Sequence, residues 1–99
     1  MSCFFMAQIK IHDEEEYQKY LNEVDDVFSK FNGTYLATDT NPSVLEGTWE
    51  YSRVILIQFQ KESDLRRWYE SPEYQSILKY RLKAANCDSI LIKGNDECT

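Results

Sequence analysis

The 99-residue sequence has one histidine, two prolines and three scattered glycines, and no run approaching the roughly 18 consecutive apolar residues of a membrane span. Each shortage removes a class of function. One histidine rules out a multi-histidine transition-metal site within a subunit. Gly33, Gly47 and Gly94 stand too far apart to form a phosphate-cradling loop, and no serine or cysteine sits in a nucleophile motif. Positive charge is also short, with 11 basic against 17 acidic residues and a formal net charge of -6. The densest basic group, Arg66, Arg67, Lys79, Arg81 and Lys83, is interleaved with or flanked by Glu62, Asp64, Glu70 and Glu73. A phosphate backbone would be repelled, so nucleic acid is not an expected partner. Cys3, Cys87 and Cys98 form no C-x-x-C pair and leave one over in any pairing, which reads as reduced thiols in a cytosol. The first eleven residues lack the basic start, apolar run and cleavage site of a signal peptide. The expected location is therefore cytoplasmic, with no membrane partner.

What is present is periodicity. Cys3 to Ile11 alternates Phe5, Ala7, Ile9 and Ile11 against Phe4, Met6, Gln8 and Lys10, the pattern of a strand whose second face is half apolar. Asp13, with Glu16 three residues on, has the spacing of a helix cap, and Glu14 to Glu16 read as solvated charges at a helix start. Tyr17, Tyr20, Leu21, Val24, Val27, Phe28 and Phe31 then recur every three or four residues, opposite Glu15, Lys19, Glu23, Asp26 and Lys30. Asn32-Gly33 is expected to end this helix with a left-handed residue. Thr34 to Thr40 reads as a strand, broken by Asn41-Pro42 and continued by Val44 to Gly47 after a bulge or turn. Arg53 to Gln60 is the most strand-like segment, apolar on both faces at its start and so expected to be central. Glu62 or Ser63 opens a short helix carrying Leu65, Trp68 and Tyr69, which Ser71-Pro72 restarts. Tyr74, Ile77, Leu78, Arg81, Leu82 and Ala85 continue its stripe. Cys87 to Lys93 is the last strand. One domain is expected over 1–94, with a flexible C-terminal tail at 95–99.

This order predicts an α+β fold, the ferredoxin-like βαββαβ plait, whose right-handed crossovers give an antiparallel sheet of spatial order 4-1-3-2. Both helical segments cover one sheet face. The other is left open with Phe4, Met6, Val54, Leu56 and Leu91 on or near it, and such a face predicts a homodimer with two sheets packed about a two-fold axis. The topology also gathers His12, Glu46, Trp49, Arg53, Arg81 and Asp88 at one end of the sheet, as a candidate ligand-binding pocket. There Arg53 or Arg81 would hold a carboxylate by paired hydrogen bonds, Trp49 and nearby tyrosines would form a planar wall, and His12 would move a proton near neutral pH. Plainer roles compete with each. His12 suits a cap or the surface, Arg81 could lay its stem over the core or pair with Glu46 or Asp88, and Arg53 is equally ambiguous. Trp49, Trp68 and the tyrosines suit packing. Cys3 and Cys87 fall at opposite ends of the sheet and are not expected to pair. No cofactor, metal site or catalytic residue is assigned, and haem is disfavoured by a lone histidine at the sheet's end.

The segments Phe5-Met6-Ala7-Gln8-Ile9 with His12-Asp13, Tyr17-x-x-Tyr20, Gly33 followed by Tyr35-Leu36, Val44-Leu45-Glu46-Gly47-x-Trp49, Arg53-Val54-Ile55, and Trp68-Tyr69-x-Ser71-Pro72-Glu73-Tyr74 followed by Arg81 span nearly the whole chain. Together they resemble the domain of unknown function 1330 family. Asn32 replaces a second glycine common before Gly33 in that family, and Glu14 replaces a common proline. The resemblance implies a dimeric α/β barrel, in a superfamily that includes cofactor-independent monooxygenases, muconolactone isomerases, haem-degrading enzymes and ligand-sensing domains. It implies no single one of those activities, since function follows the site and not the fold.

Two functional readings follow. The first is a small-molecule enzyme of the cofactor-independent monooxygenase or isomerase type, acting on a small aromatic or carboxylated metabolite. The alternative is a non-catalytic ligand-binding or dimerisation module.

Overall fold

The alternation at the start of the chain becomes strand β1 (Cys3–Ile11), with Cys3, Phe5, Ala7 and Ile9 buried and Phe4, Met6 and Gln8 partly covered on the opposite face. The computed structural model describes residues 2–95, so 96–99 of the expected tail lie outside the described residues. Helix α1 (Glu14–Phe28) begins where expected, the Asp13 carboxylate accepting from the Glu16 amide at 3.1 Å. Glu16 is not a solvated charge. It is 8% exposed and pairs with Lys19 at 2.8 Å and Lys83 at 3.9 Å.

Strand β2 (Gly33–Asp39) starts at Gly33 itself. That glycine does not end the helix in a left-handed conformation, since Gly47 alone among the described glycines has positive φ. The reason for Gly33 is space. A Cβ there would lie 2.5 Å from the Phe28 ring and 2.7 Å from the Phe59 ring. The irregularity in β2 falls at Leu36, between Tyr35 and Ala37, and Val44 to Gly47 form a loop and not a resumed strand. Strand β3 (Arg53–Phe59) follows. Ser52 ties its entry to β1, donating from its amide to the Ile9 carbonyl at 2.8 Å and accepting the Ile11 amide on its hydroxyl at 3.1 Å.

Helices α2 (Glu62–Tyr69) and α3 (Pro72–Ala84) meet at a corner built by Ser71. Its hydroxyl donates to the Trp68 carbonyl at 2.8 Å and accepts the Tyr74 amide at 3.1 Å, with Pro72 in the first turn, where no amide hydrogen is needed. Strand β4 (Ala85–Lys93) begins two residues earlier than the sequence suggests.

All neighbouring strands are antiparallel, in the order β2-β3-β1-β4, which is the expected 4-1-3-2 read from the other edge. The fold is the ferredoxin-like plait. Its principal extents of 36 × 35 × 16 Å describe a two-layer slab, with helices on one face of the sheet only. The register corrects one open-face assignment. Leu91 pairs with Phe5 and packs on the core, while Ile90 opposite Met6 and Ile92 opposite Phe4 share the uncovered face. Trp68 centres the core. Phe5 and Phe28 meet it edge-on at centroid distances of 5.1 and 5.7 Å, and Tyr74 lies 4.4 Å away. Burying a ring of that size stabilises the fold by about 5 kcal/mol. Cys3 takes part in a disulfide, so the reduced-thiol reading does not hold for it and no longer argues for a cytosol, whereas Cys87 is free.

Candidate functional site

Between the helices and the sheet lies a cavity of about 280 Å³. Phe5, Ala7, Ile9, Ile55 and Ile57 of the two central strands form its floor, and Tyr20, Leu21 and Val24 of α1 form one wall. Trp68, held in place by the Ser71 corner, and Arg81 from the last turn of α3 close the interior. Arg53 enters from the first position of β3, and Asp25, Tyr35 and Thr38 stand on the exposed rim.

Arg81 is the most unusual side chain in the molecule. It is 2% exposed, its Nε and Nη1 have no hydrogen-bond partner, and no carboxylate pairs with it among the described residues. The expectation that it might pair with Glu46 or Asp88 is not met. Its guanidinium lies 5.7 Å from the Tyr20 ring centroid, a cation–π contact. Burial disfavours its charge, but Tyr74, Tyr20, Cys87 and Tyr17 around it outweigh this and raise its pKa. Arg81 is therefore a buried, permanently charged group without a counterion.

Its neighbours are tyrosines. The Tyr20 and Tyr74 hydroxyls are 2.7 Å apart, and burial pushes both pKa values up, well above the ordinary value for Tyr20. The Tyr17 hydroxyl is buried without a partner. Burial raises its pKa while Arg53 and Arg81 hold it down, and the Arg53 guanidinium lies 5.8 Å from its ring centroid. Arg53 Nε and Trp68 Nε1 are likewise buried and unpartnered. Four unpartnered N–H groups on three cavity residues thus lack an acceptor, which is the inventory an anionic, acceptor-bearing ligand would satisfy.

Residues 2–95 match the family model of a domain of unknown function, DUF1330. The chain belongs to that family. Among solved structures, this DUF1330 domain is similar to RPA0582, a protein of unknown function from Rhodopseudomonas palustris, with a TM-score of 0.77 at 16% identity over 94% of this chain and 82% of that one. It is similar to a dimeric ferredoxin-like protein of unknown function from Jannaschia sp. CCS1, with a TM-score of 0.77 at 10% identity over 95% of this chain and 100% of that one. It is also similar to SnoaB, a cofactor-independent oxygenase from Streptomyces nogalater, with a TM-score of 0.70 at 12% identity over 95% and 93% of the two chains. At such identities the likeness establishes the fold alone. No curated protein matches the chain.

Of the six residues expected around one cleft, the DUF1330 fold brings Arg53 and Arg81 onto the same cavity. His12 is exposed at the end of β1, its amide donating to the Ala84 carbonyl at 2.9 Å, and its side chain is not on the cavity. Glu46 and Trp49 line a separate shallow groove in the 40–52 loop, where the Trp49 ring packs edge-on against Tyr51 at 5.2 Å. Asp88 pairs with Gln8 on the open sheet face and accepts the Tyr51 hydroxyl at 2.5 Å. For Asp88 the physical reason is the pleat, since neighbouring residues of a strand point to opposite faces, whereas His12, Glu46 and Trp49 lie in the segments that connect the strands to other elements. Tyr20, Asp25, Tyr35, Thr38 and Trp68 were not singled out from the sequence as pocket residues. A signal existed for two of them, because Asp25 is a charged residue four positions after Leu21 on the helix's apolar stripe and Tyr20 lies on that stripe. Among the described residues no group of three or more His, Cys, Asp or Glu is placed to hold a metal, and no helix is long and apolar enough to cross a membrane.

Proposed function

We propose that this domain is a small-molecule enzyme of the cofactor-independent oxygenase or isomerase type, acting on a compact aromatic carboxylate held in the cavity over Arg53 and Arg81. One observation carries the reading: Arg81 is buried, charged and without a carboxylate. An uncompensated buried charge costs several kcal/mol, and a bound anion supplies the missing partner. The ligand's carboxylate meets the guanidinium groups, and its ring lies between the aliphatic floor and Trp68. The shared architecture with SnoaB, itself a cofactor-independent oxygenase, supports this type of chemistry.

The active form is a homodimer joined through the open sheet face, where Met6, Leu56 and Ile90 form an apolar strip. The dimeric ferredoxin-like neighbour from Jannaschia supports that arrangement. A second reading, a non-catalytic ligand-binding module, is favoured by the place of His12 away from the cavity.

Calorimetric titration with benzoate and 2,5-dihydroxybenzoate, followed by oxygen-electrode and product measurements with the latter, tests both. Saturable binding lost in Arg81→Met is expected, with turnover marking the enzyme. Binding without turnover of any hydroxylated or enolisable aromatic carboxylate would leave the binding module, and no binding of either compound would end the anion-site reading.

A further inference from the structure

The cavity is electrically polarised along its depth. Its interior holds Arg81 with the half-buried Arg53, and the buried side-chain atoms without a partner on its lining residues are all N–H donors. Its exposed rim is the reverse. Asp25 projects there from α1 with no ion-pair partner among the described residues, beside Tyr35. Burial first and the Asp25 charge second push the Tyr35 hydroxyl up to about 12, against a smaller lowering influence of Arg53.

We propose that Asp25 is the specificity-determining residue of the cavity, admitting aromatic monocarboxylates that end in an amine or hydroxyl and refusing those that end in a second carboxylate. The inference rests on the reading of the cavity as an anion site. A ligand enters carboxylate first, toward Arg81 and Arg53, and leaves its far end against Asp25. An ammonium or hydroxyl there donates to the Asp25 carboxylate, whereas a carboxylate there meets a like charge, with only the neutral Tyr35 and Thr38 hydroxyls beside it to offset the repulsion. The chain's net charge of -6 opposes dianions further as they approach. A like-charge contact near a protein surface, partly screened by salt, corresponds to about tenfold in affinity.

Benzoate, 4-(aminomethyl)benzoate and terephthalate share a ring and one carboxylate and differ at the far end, so calorimetry with the three on the full chain and on Asp25→Asn reads the rim directly. The wild type is expected to bind 4-(aminomethyl)benzoate at least about tenfold more tightly than terephthalate, and D25N to shrink that ratio to about twofold. Because Asp25 is exposed and asparagine is nearly isosteric, the variant retains the fold. Equal wild-type affinity for the two probes, or a ratio unmoved by D25N, overturns the inference while leaving the anion site standing if benzoate still binds and R81M abolishes it. Failure of benzoate itself to bind removes the anion site, and this inference with it.

Discussion

Arg81→Met separates a side chain kept for the fold from one kept for a ligand. Methionine has similar length and leaves the Tyr20–Tyr74 hydroxyl pair in place. The substitution removes a guanidinium that is 2% exposed, with Nε and Nη1 unpartnered. It also removes the cation–π contact with Tyr20 and the polar contacts with Tyr74 and Cys87. The lost contacts amount to about 2–4 kcal/mol, and the relieved desolvation is of similar or larger size, so the net change lies between neutral and about 2 kcal/mol of added stability. In a domain of this size each kcal/mol moves Tm by about 4–8 °C. Urea unfolding of the ligand-free proteins should therefore give R81M a midpoint equal to or above the wild type. With benzoate at about 100 times its Kd, the wild type should gain about 2.7 kcal/mol and R81M nothing, which reverses their order. A ligand-free R81M destabilised by more than about 3 kcal/mol, with the benzoate response intact, would refute the reasoning and assign Arg81 a structural role.

Gly33→Ala should destabilise by about 1–3 kcal/mol through overlap with the Phe28 and Phe59 rings, read as a lower urea midpoint at unchanged slope; an unchanged midpoint would show that those rings can move aside. Leu56→Arg, on the open sheet face, should halve the mass measured by light scattering while leaving the far-UV spectrum unchanged. Alkaline pH should destabilise the fold. The Tyr35 pKa is raised from 10.0 to about 12, and those of Tyr17, Tyr20 and Tyr74 are raised as well, so above pH 10 the unfolded chain loses protons that the folded chain keeps. Stability is then full below about pH 10 and falls as pH rises toward 12, and urea midpoints that do not differ between pH 8 and 11 would contradict the burial of these hydroxyls.

The elements of this domain were legible in the sequence because each is written locally. Alternation in 3–11, the 3.6-residue stripe from Tyr17 to Phe31, and the caps at Asp13 and Ser71 need no distant partner to be recognised. Their order carried the sheet topology, because right-handed crossovers leave few arrangements. Tertiary structure decided what depends on facing and depth. Asp88 and Arg53 lie at the same end of the sheet, yet the pleat turns one to the open face and the other to the cavity, and a bulge at Leu36 sets Thr38, and not Ala37, opposite Ile55 and beside Tyr35 on the cavity. Gly33 looked like punctuation and proved to be clearance for two rings from distant elements. The lone charge of Arg81 is a three-dimensional fact of the same kind. A sequence shows how many carboxylates a chain has, but only packing determines that none of the described ones reaches this guanidinium.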